Sequence, residues 1–121
     1  MEIHEQPCQI EGVRLLALDG GLDQTNTDDF VRKMDDCLAS GTLRVVLDLK
    51  HLVFVSSWGL GALVRVHHHC ASRGGRLAFA NLHSTVATAL KISRLDRLFD
   101  LYPTVERAIE GVTRSGGKAD H

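Results

Sequence analysis

Residues 45–61 read Val45-Val46-Leu47-Asp48-Leu49-Lys50-His51-Leu52-Val53-Phe54-Val55-Ser56-Ser57-Trp58-Gly59-Leu60-Gly61. With the two residues before it, the stretch Leu43 to Leu49 is β-branched and almost continuously apolar. That is the pattern of a central strand covered on both faces. His51-Leu52-Val53-Phe54-Val55 then leads into a short loop carrying two serines. From Gly59 to Ser72 the apolar residues Leu60, Leu63, Val64 and Ala71 recur at helical spacing, and Arg73-Gly74-Gly75 closes the helix. A serine just ahead of a helix can cap it by accepting a bond from a free backbone N–H. Held at the end of a strand, it is also within reach of another protein. Gly59-Leu60-Gly61 lacks the longer glycine pattern and the Lys-Ser/Thr of a phosphate loop. Gly59 is better read as letting the helix start pass close to another backbone.

The same signals extend in both directions. Ile10 to Asp19 reads as one or two short strands with a turn at Glu11-Gly12, and Gly20-Gly21 is expected to break it. Thr25 to Ser40 places Phe30, Met34, Cys37 and Leu38 at i, i+4, i+7 and i+8, an amphipathic helix that Thr27, Asp28 and Asp29 open and Gly41 stops. Arg76 to Asn81 is a short strand, Ser84 to Ile92 a helix, and Leu98 to Tyr102 a last strand. Pro103 is expected in the first turn of a final helix bearing Val105, Ala108, Ile109 and Val112. Strands alternating with helices imply an α/β fold, with parallel pairs and helices packed on the sheet.

The chain has 121 residues, 44% hydrophobic and 24% charged, which suits one globular domain. Aromatics make up 5%, so the core must be built from Leu, Val, Ile and Ala. The formal charge of −1 gives no basic footprint for nucleic acid. No apolar run reaches the roughly 20 residues of a membrane-spanning helix, and residues 1–6 carry no signal-peptide pattern. Three cysteines without a Cys-x-x-Cys pair read as reduced thiols, so a cytoplasmic setting is expected. The expected division is an N-terminal segment 1–9, a domain 10–112, and a disordered tail 113–121 containing Gly116-Gly117.

The segment resembles the STAS domain of bacterial anti-sigma-factor antagonists. In that family an apolar strand ends in Leu-Asp-Leu and is followed, after a few residues, by Phe-Ile-Asp-Ser-Ser-Gly-Leu. Here Val45 to Leu49 and Phe54-Val55-Ser56-Ser57-Trp58-Gly59-Leu60 stand in those places. The resemblance continues through Leu22-Asp23, Arg73-Gly74-Gly75-Arg76-Leu77, Leu90-Lys91-Ile92-Ser93-Arg94-Leu95-Asp96 and Leu98-Phe99-Asp100-Leu101-Tyr102, and covers roughly Ile10 to Val112. It implies a STAS-type fold: a mixed sheet of four to five strands with about four helices. It implies a non-enzymatic regulator that binds an anti-sigma factor and releases the sigma factor. The serine after the family's aspartate is the one an anti-sigma serine kinase phosphorylates, and a phosphatase resets it. By position this is Ser57. Ser56 occupies the aspartate's place and is a rival acceptor, and Trp58 stands where Ser or Ala is usual. The partner surface so implied comprises Asp23, Ser56, Ser57, Trp58, Gly59 and Leu60. The alternative is a non-switching STAS accessory subunit of a transporter or larger signalling complex.

Plainer readings stand beside these. Ser56 and Ser57 can be caps and turn residues alone, and Trp58 either an interface anchor or a side chain tucked onto the neighbouring helix. His67-His68-His69-Cys70 invites metal ligation, but successive helical residues point about 100° apart and cannot converge on one ion. No metal site or cofactor is expected. Asp19, Asp23 and Asp48 read as surface or turn carboxylates, with no nucleophile pattern to make them catalytic.

Overall fold

A computed structural model describes residues 1–114. Along the chain run β1 (Glu2–Gln6), β2 (Val13–Leu22), α1 (Thr27–Ala39), β3 (Arg44–Val55), α2 (Ser57–Ser72), β4 (Arg76–Ala80), α3 (Ser84–Ile92), a 3-10 turn (Leu95–Arg97), β5 (Asp100–Tyr102) and α4 (Val105–Thr113). The five strands form one sheet in the order β1-β2-β3-β4-β5. β1 pairs antiparallel with β2, and every other neighbouring pair is parallel. The α/β fold with a mixed sheet and four α-helices is the one the sequence implies.

The two faces of the sheet are covered by different helices. On one face Phe30, Met34 and Leu38 of α1, Leu63 and Val66 of α2, and Val86 and Leu90 of α3 pack on Leu16, Leu18, Val45, Leu47 and Phe79. On the other, Ala108 and Val112 of α4 pack on Val13, Leu15, Val46, Ala78 and Ala80. β3 is therefore buried on both sides, as its unbroken apolar run requires.

Several boundaries differ from the sequence reading for identifiable reasons. β1 lies within residues 1–9, where Glu2-Ile3-His4-Glu5-Gln6 offers only Ile3 to the core. An edge strand with one apolar contact leaves almost no periodic trace. Gly20-Gly21 does not end β2, which continues through both to Leu22. Register shifts near Ala17 and between Gly20 and Gly21 absorb the irregularity. The longer β2 supplies a partner for residues 51–55, so β3 reaches Val55 instead of stopping at Leu49. The cap of α1 is Asn26 rather than Thr27, and α2 starts at Ser57 rather than Gly59. Pro103 precedes α4, whose cap is Thr104, with its side chain accepting from the Arg107 N–H. The last strand is shortened to Asp100–Tyr102 because Leu95–Arg97 turns as a 3-10 segment. Of the expected tail, Thr113 closes α4, and residues 115–121 lie outside the described residues. No helix among the described residues is long and apolar enough to cross a membrane.

Candidate functional site

Two loops meet where β2 and β3 end. β2 finishes at Leu22 and hands the chain to Asp23; β3 finishes at Val55 and hands it to Ser56. They are joined by a backbone bond of 2.9 Å, the Ser56 N–H donating to the Leu22 carbonyl. The first loop is braced internally. The Asp23 carboxylate accepts from the Thr25 N–H at 2.8 Å and from the Thr25 hydroxyl at 2.5 Å. Asn26 holds both sides of the turn, accepting from the Asp23 N–H at 3.0 Å and donating to the Gly21 carbonyl at 2.8 Å. The Thr25 hydroxyl, and then its N–H, hold the Asp23 carboxyl below its ordinary range.

Ser56 is the N-cap of α2. Its backbone is extended, and its Oγ accepts from the Gly59 N–H at 3.2 Å. Serine and aspartate are about equally good caps. A serine at this position therefore holds the helix start as an aspartate would, without the charge. Ser57 is the first residue of the helix proper and is exposed. The two serines thus divide: one hydroxyl is engaged by the backbone, and the other faces solvent at a helix N-terminus.

Gly59 fixes the closeness of the two loops. A Cβ there would lie 2.5 Å from the Leu22 carbonyl oxygen and 2.6 Å from Val55 Cγ2. The expectation that this glycine admits a neighbouring backbone is met directly. Trp58 is 63% exposed, so its indole is not tucked against the fold. Leu60 is half-buried against the core. A groove of about 250 Å³ runs between the starts of α1 and α2, lined by Thr27, Asp28, Ser57, Trp58, Gly61 and Arg65 among others.

All six expected partner-surface residues thus lie on two adjoining loops and one helical turn. Sequence reasoning missed the groove residues Thr27, Asp28 and Arg65, and the exposure of Val53 (49%) and Phe54 (48%) at the end of β3. The signal for the groove was the spacing of Ser57, Gly61 and Arg65 at i, i+4 and i+8, one stripe of a helix with a glycine floor. Residues 67–70 have separate contacts: His67 lies edge-on to Phe99, the His69 ring is 2.8 Å from Asp35, and Cys70 is buried with its thiol toward the Leu43 carbonyl. Asp48 accepts from the Lys50 N–H and from the Asn81 amide, each at 3.1 Å; because β3 continues to Val55, it is a half-buried carboxylate within the strand and not a surface or turn one.

Comparison with known proteins fits this geometry. The chain belongs to the STAS domain family, whose sequence model matches residues 7–108. It is 31% identical to the anti-sigma F factor antagonist of Paenibacillus polymyxa over 100 residues, 81% of this chain and 85% of that one. Its fold matches the crystal structure of the Thermotoga maritima protein TM1081 with a TM-score of 0.84 at 26% identity, covering 93% and 95% of the two chains. The fold is also that of the Bacillus cell fate determinant SpoIIAA in its phosphorylated form, with a TM-score of 0.68 at 19% identity and 90% and 97% coverage.

Proposed function

We propose that this chain is an anti-sigma-factor antagonist, docking an anti-sigma factor through Asp23, Ser56, Ser57, Trp58 and Leu60, on a turn that buried Gly59 holds against β2, and released when Ser57 is phosphorylated. The observation that carries this reading is the division between the serines: the Ser56 hydroxyl caps α2 while the Ser57 hydroxyl is exposed on its first turn. A kinase meets Ser57 without unmaking the helix cap. The phosphate adds about −1.5 to −2 charges at neutral pH. Free N–H groups and the helix dipole favour an anion at that point, so the domain tolerates it. A docked partner does not, because the same charge is then buried against a surface selected for a neutral hydroxyl. Trp58 beside it is the natural anchor for such a partner, since exposed tryptophans are enriched among binding hot spots. The kinase is the anti-sigma factor itself, and a phosphatase restores the docking form; the antagonist contributes no catalysis, binds no nucleic acid and works in the cytoplasm.

Incubation with an anti-sigma serine kinase and ATP tests this, with the modified residue mapped by mass spectrometry. Phosphate on Ser57, and no incorporation in Ser57→Ala, is the expected result. Phosphate confined to Ser56, or none under conditions that modify a cognate antagonist, overturns it. Tight, phosphate-insensitive binding to a membrane-transport complex would instead favour the accessory-subunit reading.

A further inference from the structure

The outer edge of the sheet carries a second cluster, unrelated to the serine loop. β1 and β2 pair antiparallel with Glu2 opposite Asp19 and His4 opposite Ala17. Alternate residues of a strand share a face. Glu2, His4 and Asp19 therefore project together, on the face away from Ile3 and Leu18. One ligand atom from each lies within 4.8 Å of the others, and His4 Nε2 is 3.3 Å from Glu2 Oε1. All three residues are exposed. Two carboxylates directly opposed across an antiparallel pair repel each other, and a shared cation removes that repulsion. From this juxtaposition we infer that Glu2, His4 and Asp19 form a divalent-cation site, with Zn²⁺ the best-matched ion.

The donor set decides the ion. One imidazole nitrogen and two carboxylates suit Zn²⁺, which takes three protein ligands and leaves its fourth position to water in open sites. Ca²⁺ and Mg²⁺ prefer oxygen alone. Donors on a tetrahedral zinc at about 2.0–2.2 Å from the metal stand about 3.3 Å apart. Glu2 and His4 already have that separation. Asp19 closes the remainder by rotating an exposed side chain. The spacing of the sequence does not announce the site, because the third ligand lies on a different strand. The bound ion staples β1 to β2, four residues before Asp23, at the end of the sheet where the serine loop also lies.

Zn²⁺ titrated by calorimetry into the untagged full chain at pH 7 tests the site. One saturable equivalent is expected, and His4→Ala and Asp19→Asn each weaken it by at least about tenfold. Both variants change exposed side chains, and circular dichroism checks that they stay folded. Zn²⁺ should raise the thermal midpoint of the wild type but not of His4→Ala. A double variant, His67→Ala with His68→Ala, should bind as the wild type does. The inference is overturned by the absence of saturable binding, by unchanged affinity in His4→Ala and Asp19→Asn, or by binding that disappears with the α2 histidines instead.

Discussion

Replacing Gly59 by alanine should destabilise the domain even though alanine is the better helix former. The new Cβ would lie 2.5 Å from the Leu22 carbonyl oxygen, whereas ordinary contact begins at 3.4 Å. The carbonyl must retreat by about 0.9 Å, or α2 must tilt away from β2. The same carbonyl accepts the Ser56 N–H at 2.9 Å, so its retreat also weakens the bond joining the two loops. Forced overpacking costs about 1–3 kcal/mol, a compromised hydrogen bond about 0.5–1.5 kcal/mol, and the gain in helix propensity returns about 0.5–1 kcal/mol. The net loss is about 2 kcal/mol, a fall of roughly 5–10 °C in Tm for a domain of this size. Gly61→Ala is the matched control. It lies one half-turn further along the same helix with nothing within 4 Å of its Cβ position, so only propensity acts. That variant should gain about 0.5–1 kcal/mol. Urea unfolding followed by circular dichroism measures both. A Gly59→Ala protein as stable as the wild type, or one shifted in the same direction as Gly61→Ala, would refute the close approach of α2 to β2.

Three further outcomes follow from the site and core. Ser56→Ala should lose about 1 kcal/mol in urea unfolding because the Gly59 N–H loses its acceptor, while Ser56→Asp should restore most of it. The Asp23 carboxyl has a lowered folded-state pKa, so its contribution to stability is complete above its ordinary pKa and disappears as the pH falls through the folded value. In Thr25→Val the Asp23 titration followed by NMR should move up towards the ordinary value, and the acid-side loss of stability should shrink. Burial pushes the Cys70 thiol up to about 11 and also raises Cys37, against the opposing pull of Arg14. A colorimetric thiol reagent at pH 8 should therefore label half-exposed Cys8 first, reaching Cys37 and Cys70 only after denaturation; fast labelling of all three in the folded chain would contradict their burial.

The elements legible in the sequence were those whose burial imposes a period. α1 shows its 3.6-residue stripe because Phe30, Met34, Cys37 and Leu38 all face one core, and β3 its continuous run because both faces are covered. What escaped was set by pairing rather than by pattern. β1 buries little and is held mainly by its bonds to β2. Glycine pairs ordinarily break strands, yet Gly20 and Gly21 serve inside β2: Gly20 adopts φ +113 beside Met1, and a Cβ at Gly21 would lie 3.3 Å from the Phe54 ring. At the site, the serine motif was legible from its order along the chain. Which serine caps and which is exposed depended on where α2 begins, a matter of two residues. The groove beside Ser57 needed α1, which the sequence does not place next to α2.

Affinity for an anti-sigma factor, measured with the unmodified chain and with the same chain stoichiometrically phosphorylated on Ser57, bears most directly on the switch. Phosphorylation should weaken binding by at least about a hundredfold, in keeping with a charge forced unpaired into an interface. Equal affinity of the two forms would show that the exposed hydroxyl at the start of α2 is not what the partner reads.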